Sequence, residues 1–288
     1  MIWKDRNGAI VPGDDGQDRM LEWMYGTPIG RVLVKLMIRP RVSRAAGWLL
    51  DRRISALAVE PFIRKNRISM VDFEERRFTS FNDFFTRRLK PGRRPVDREA
   101  CHLIAPCDSK LTVYPIEPDF RFWVKGTEYT LGGLLQNEVL ARNFLGGTLL
   151  LFRLTVGDYH RYAYPDDGFI GQSVRIQGVY HTVNPAAASR YPIYRENTRE
   201  YALLKSENFG TILQMEVGAA MVGRIVNGPG ERQVVRGEEK GRFEFGGSTV
   251  ILLLQKDAAA LDADIVQNTR EDVETVVQLG QRIGEKKQ

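Results

Sequence analysis

Between residues 20 and 90 apolar side chains recur every three to four positions, whereas beyond about residue 98 they gather in short or alternating runs. In the first region Ile29, Val32, Leu33, Leu36 and Met37 form one helical stripe, with Arg31, Lys35 and Arg39 elsewhere around the wheel. Pro40 is expected to end that helix. Ser43 can cap a second one, which carries Ala46, Leu49, Leu50, Ile54 and Leu57 and stops at Pro61. Ser80 begins a third, with Asp83 three residues on as an acidic variant of the capping box, burying Phe81, Phe84, Phe85 and Leu89. The turn-rich run Lys90-Pro-Gly-Arg-Arg-Pro95 then breaks the helical period. Residues 174–180, 212–217, 220–226 and 249–255 read as strands separated by Gly, Pro and Asn, and the tail after Asp257 reads as a helix or a loose terminus. The expected class is α+β: a helical region over residues 1–98, then a β-rich domain over 99–288 resembling a barrel or sandwich.

Length and composition sharpen this picture. With 288 residues and 43% hydrophobic content the chain can bury a substantial core. The net charge of +6 is uneven, because residues 31–100 carry roughly +10, which calls for an anionic partner at the helical region. Cys101 and Cys107 supply neither a disulfide framework nor a metal site. The polar stretch 1–18 lacks a signal-peptide pattern, so export is not expected. No apolar run approaches the ~20 residues of a bilayer span, since the run ending at Phe152 meets Arg153; membrane contact should be peripheral. A nucleic-acid partner is not expected, because no recognition motif accompanies the charge.

Three segments combine reactive groups with unusual backbone. In Phe245-Gly-Gly-Ser-Thr249 two glycines allow a bent peptide whose carbonyl comes within reach of the Ser248 hydroxyl, although a hairpin turn entering a strand reads equally well from these residues alone. In Leu154-Thr-Val-Gly-Asp-Tyr-His-Arg161, His160 has the side chain best suited to proton transfer near neutrality, or a structural role at a strand end. In Ala105-Pro-Cys-Asp-Ser109, Asp108 is either a turn cap or a relay carboxylate.

Together these segments resemble the phosphatidylserine decarboxylase family. The likeness extends through Trp23-Met-Tyr-Gly-Thr-Pro-Ile-Gly30, Phe81-Asn-Asp-Phe-Phe-Thr-Arg-Arg-Leu-Lys-Pro91, Arg94-Pro95, Lys125-Gly126 with Tyr129, Asp158-Tyr-His-Arg161, Val183-Asn-Pro185, Glu216-Val-Gly-Ala219 with Val222-Gly223, and Lys240-Gly241. So many pieces in order are a specific signal. The resemblance implies a proenzyme in which Ser248 attacks the Gly247 carbonyl and the chain breaks between Gly247 and Ser248. A β chain of residues 1–247 and an α chain then remain together, the latter capped by a pyruvoyl group made from Ser248. It implies decarboxylation of phosphatidylserine to phosphatidylethanolamine and CO2 through a Schiff base with that group. Ser248, His160 and Asp108 are the expected catalytic residues, His160 protonating the carbanion and Asp108 serving in the relay that deprotonates Ser248. A homodimer and a peripheral place on the cytoplasmic face of anionic membranes are further implications of the resemblance, the basic helices suiting such a surface.

Two departures from the family pattern stand out. The family commonly has a second histidine three positions after the first; here Ala163 occupies that place, so His160 is expected to perform both jobs, with His181 as a weaker substitute. Ser109 stands where Asp-Gly is usual, which leaves the placement of Asp108 open. Two other functions fit parts of the pattern: a pyruvoyl-dependent decarboxylase of a free amino acid, and a non-cleaving lipid-binding homologue.

Overall fold

The computed structural model describes residues 2–11, 23–38, 40–119, 121–124, 126–183, 191–219, 224–244 and 248–287. The expectations placed on Lys125, Asn184, Pro185, Val222, Gly223, Phe245, Gly246 and Gly247 therefore lie outside the described residues.

The helical region begins with Pro28–Met37 and Pro40–Leu50. The first helix stops short of Pro40 as expected, and Pro40 itself opens the second, where its fixed φ and missing N–H cost nothing in the first turn, so that Ser43 falls inside that helix. Pro61 likewise sits in the first turn of Val59–Lys65 instead of stopping a helix, behind a 3-10 turn over Arg53–Ala58. Ser80 caps Phe81–Phe85 as expected, its hydroxyl accepting from the Asp83 N–H at 3.1 Å. The Asp83 carboxylate accepts from Thr79 N, one residue outside the expected box, at 2.9 Å. Phe81, Phe84 and Phe85 pack with Val59 and Ile68 into a small core of their own. The stripe of the first helix faces outward: Ile29 and Val32 are 70% and 61% exposed, while Val34 turns into the main core. No helix among the described residues is long and apolar enough to cross a membrane.

The remainder is built on one 11-stranded sheet. Its order runs Arg232–Val234, Gly168–Ile170, Arg199–Ser206, Gly210–Gly218, Ser248–Leu254, Thr148–Leu154, Ser109–Pro115, Glu274–Val277, Trp3–Lys4, Ile10–Val11, with Val174–Ile176 paired beside Arg199–Ser206. Pairing is antiparallel except between Trp3–Lys4 and Glu274–Val277, so the first residues of the chain are strand. The sheet is open and sandwich-like, with no barrel closure. Alternation along the strands divides the core: Leu149, Leu151, Leu213, Met215, Ile251 and Leu253 pack on one face with Tyr25, Val34, Phe144 and Leu134. Leu150, Phe152, Leu154, Ile212, Val250 and Leu252 pack on the other with Tyr162, Ile225 and Phe243 from a small sheet of Ile225–Asn227, Glu239–Phe243 and Arg161–Ala163, and with Leu103 and Ile283 from a second small sheet. The tail after Asp257 is not loose. It forms the strand Ala259–Leu261, the helix Ala263–Arg270 and the strands Glu274–Val277 and Arg282–Lys286, and its contribution to the large sheet is a pairing that no local period can reveal.

Candidate active site

Ser248 opens the strand Ser248–Leu254 at the centre of the large sheet, paired with Gly218 on one side and Leu154 on the other, and it is fully buried. Five apolar residues, Val250 to Leu254, follow Thr249, as expected of a strand covered on both faces. Facing Ser248 is His160, which ends a turn begun where the neighbouring strand Thr148–Leu154 stops. That turn is closed by Asp158: its N–H donates to the Thr155 carbonyl at 3.0 Å, and its carboxylate accepts from the Thr155 N–H at 2.6 Å and hydroxyl at 2.8 Å. Lys110 neutralises the same carboxylate at 2.6 Å, which holds Asp158 below the usual carboxylate range despite its burial.

The imidazole is held so that its roles are defined. Nε2 lies 3.0 Å from the Thr155 carbonyl, which can only accept, so Nε2 carries the proton. Nδ1 is left as an acceptor, 3.2 Å from Ser248 Oγ, and the serine hydroxyl donates to it. Phe85 stacks on the ring with centroids 3.9 Å apart. Burial, and then the nearby Arg87 cation, lower the His160 pKa from 6.5 to about 3, so the imidazole is neutral and basic toward Ser248 at ordinary pH.

Asp108 is not bonded to His160. Its carboxylate accepts from Arg94 Nε at 2.9 Å and Nη2 at 2.6 Å and from the Leu279 N–H at 2.9 Å, and Arg94 reaches on to Asp72 at 3.0 Å. The orienting group behind the histidine is thus the Thr155 carbonyl. Ser109 enters its strand without a left-handed backbone, so its side chain costs the turn nothing. Ala163 packs into a cluster with Phe73, Tyr159 and Leu279. His181 is placed elsewhere: its Nδ1 lies 3.3 Å from the Tyr25 hydroxyl, its ring stacks on Tyr191, and burial lowers its pKa.

The sequence assigns no role to Thr155 or Lys110, nor to Glu216 and Lys240 beyond their place in the family-like motifs. Lys240 donates to Glu216 at 2.6 Å, both are buried, and Asn227 links them to Glu200 through bonds of 3.1 and 2.9 Å. Glu216 shares a sheet face with Val250 opposite and so with Ser248. The available signal was a single charged residue inside a long strand, Glu216 in Gly210–Gly218. A cleft of about 1250 Å³ opens between the helix Pro40–Leu50 and the strand Ile225–Asn227, lined by Trp48, Asn82, Arg175, Glu200 and Asn227. Neither Ser248 nor His160 lines it; its wall includes Arg224 and Glu244.

A buried serine whose hydroxyl donates to a neutral histidine at a strand end is an arrangement that can activate a serine nucleophile. Comparison with known proteins supplies the family. The phosphatidylserine decarboxylase family model matches residues 81–285. Phosphatidylserine decarboxylase proenzyme 2 of Clostridium acetobutylicum is 44% identical over 92% of this chain and 91% of its own. The phosphatidylserine decarboxylase proenzymes of Clostridium novyi and Desulfitobacterium hafniense are 42% and 40% identical, each over 93% of this chain and at least 92% of their own. The chain belongs to the phosphatidylserine decarboxylase family, a family of carboxy-lyases.

Proposed function

We infer that this chain decarboxylates phosphatidylserine to phosphatidylethanolamine after cutting itself between Gly247 and Ser248, and that Ser248, His160 and Asp108 belong to its machinery. The observation that carries the reading is the Ser248 hydroxyl set 3.2 Å from an imidazole whose other nitrogen is committed to a carbonyl. In maturation His160 Nδ1 takes the Ser248 proton as Oγ attacks the Gly247 carbonyl, and the Thr155 carbonyl stabilises the imidazolium at Nε2. Asp108 acts at one remove, fastening Arg94 and the Leu279 loop beneath the site. A pyruvoyl group at position 248 fits these surroundings, since a fully buried strand start beside a proton-holding imidazole excludes water from a reactive ketone. Such a group supplies an electron sink for the bond to CO2. His160 Nδ1 then holds the proton that replaces CO2.

The helical layer is the membrane-facing side of this reading. Trp48, Leu49, Ile54 and Leu57 are exposed beside Arg52 and Arg53, with Ile29 and Val32 beside Arg31 and Lys35, an apolar and cationic mixture suited to an anionic lipid surface at the cytoplasmic face. The cleft next to Trp48 gives the headgroup an approach toward the Ser248 end of the sheet. Intact-mass measurement of purified protein tests the maturation directly: two chains with a blocked fragment starting at position 248 are expected, and a Ser248→Ala chain should stay whole. A single wild-type chain after prolonged incubation with phosphatidylserine vesicles would refute it.

A further inference from the structure

The run Phe85-Thr86-Arg87 touches the His160 turn three times. Phe85 stacks on the imidazole at 3.9 Å, the Thr86 carbonyl accepts from Arg161 Nε at 3.1 Å and Nη2 at 3.0 Å, and Arg87 Nη2 donates to the carbonyls of Gly157 and Asp158, both at 2.9 Å. Arg87 is 1% exposed and no carboxylate bonds it; the rings of Phe73 and Phe84 lie against its guanidinium at 4.3 and 4.9 Å, and its Nε has no partner. A buried guanidinium without a carboxylate is costly, and burial lowers its pKa to about 10. The two carbonyls need a donor but not a charge, so fold stability alone does not ask for a cation here.

We propose that Arg87 is a positioning residue for His160: it pins the turn from Gly157 to His160 through two backbone carbonyls and, as a fixed cation, keeps the imidazole a proton acceptor for Ser248. The proposal rests on the reading of His160 as the base of maturation. Both bonds come from the one nitrogen Nη2, whose direction is fixed by a rigid planar group lying against the rings of Phe73 and Phe84, a placement that a flexible ammonium does not reproduce. The charges that act on the imidazole are Arg87 and Lys110, which favour its neutral form, and Asp158, which opposes them while itself held by Lys110; Phe85 and Ser248 contribute no charge. Of the two cations, Lys110 is spent on Asp158, and Arg87 alone bears on the ring without a paired anion.

The chain has three histidines, so side-chain nitrogen NMR can follow His160 in a whole Ser248→Ala chain, assigned by loss of its signals in Ser248→Ala/His160→Gln. Arg87→Met in that background should mix the Nε2–H and Nδ1–H tautomers and raise the titration midpoint of His160 by at least about half a pH unit. In the Ser248 chain, Arg87→Met should slow self-cleavage about a hundredfold and Arg87→Lys about tenfold, the lysine leaving the midpoint where it was. Unchanged tautomer, midpoint and cleavage rate in Arg87→Met would overturn the proposal, as would a merely lowered melting temperature with all three intact. If Arg87→Met does not fold, Arg87→Lys decides: cleavage at the wild-type rate overturns the proposal, and slowed cleavage with an unmoved midpoint supports it. His160→Gln, run alongside, separates the two readings, since normal cleavage in that variant would remove His160 as the base whatever Arg87 does.

Discussion

Restoring the family's second histidine with Ala163→His should destabilise the chain without quickening maturation. Ala163 is 1% exposed, its side chain packed among Phe73, Tyr159 and Leu279, its N–H bonded to the Pro106 carbonyl at 2.8 Å and its carbonyl to Gln214 at 3.1 Å. The backbone is therefore fixed on both sides and cannot retreat to admit a ring. Overpacking a closed core site costs about 1–3 kcal/mol, and burying imidazole nitrogens without partners adds about 1–3 more, so a loss of roughly 2–6 kcal/mol is expected. With about 2–4 °C per kcal/mol in chains somewhat shorter than this one, the melting temperature should fall by at least about 4 °C. The comparison belongs in the Ser248→Ala background, where cleavage cannot mix two species into one transition, with maturation of the Ser248 parent followed separately by mass. An unchanged or raised melting temperature would show that the cluster has room for a ring, and faster cleavage would show that position 163 communicates with Ser248; either result refutes the packing argument.

His160→Gln should lower self-cleavage by at least about a hundredfold, the lower end of general acid–base help, as read by the fraction of cut chain over time. The same residue makes stability depend on acid. Its folded pKa, about 3, lies below the unfolded 6.5, so as pH falls from 6.5 toward 3 the unfolded chain takes a proton the folded one refuses, and stability drops by up to about 1.4 kcal/mol per pH unit. In denaturant titrations of the Ser248→Ala chain, His160→Gln should flatten that slope, with the smaller same-signed contribution of His181 left behind. Vesicles with anionic lipid should bind the chain more strongly than neutral ones and lose it as salt screens the surface; equal binding at low salt would remove the basic helices as the targeting force. Glu216→Ala should be among the most destabilising single changes, about 3–5 kcal/mol by melting, because it strands the buried Lys240 ammonium.

Local signals carried the reading where local chemistry decides. The Ser80 cap, the aromatic face of Phe81–Phe85 and the apolar strand after Ser248 were legible because cap, period and run each lie within a few residues. That Pro40 and Pro61 lie in the first turns of helices is not legible, because proline is as acceptable there as beyond a last turn, and only the flanking geometry distinguishes the two. The outward stripe of the first helix could not be distinguished from a buried one, since amphipathicity gives the apolar face and not what it meets. Within the site, Ser248 and His160 are visible as residue types, but the group behind His160 is not, because a backbone carbonyl leaves no mark in sequence; nor does sequence show that Asp108 bonds Arg94. Lys110 and Glu274 were hidden for the opposite reason, as charged residues in buried strands whose partners, Asp158 and Arg153, lie 48 and 121 positions away.

For the cut proposed before Ser248, the place of that residue in the large sheet sets a direction in time. His160 and Ser248 are 88 positions apart and meet only when Ser248–Leu254 has been laid between Gly210–Gly218 and Thr148–Leu154, so an incomplete fold has no means of cutting itself. Once cut, the piece from position 248 onward still owns that central strand and, through Glu274–Val277, another farther along the same sheet, so the two pieces stay interwoven like the halves of a clasp. Denaturing the cut form would release two separate molecules, whose reunion depends on their concentration, whereas the uncut chain needs only itself. Refolding yield should therefore fall on dilution for the processed protein and not for its precursor, which makes assembly a step that the molecule can take unaided only once.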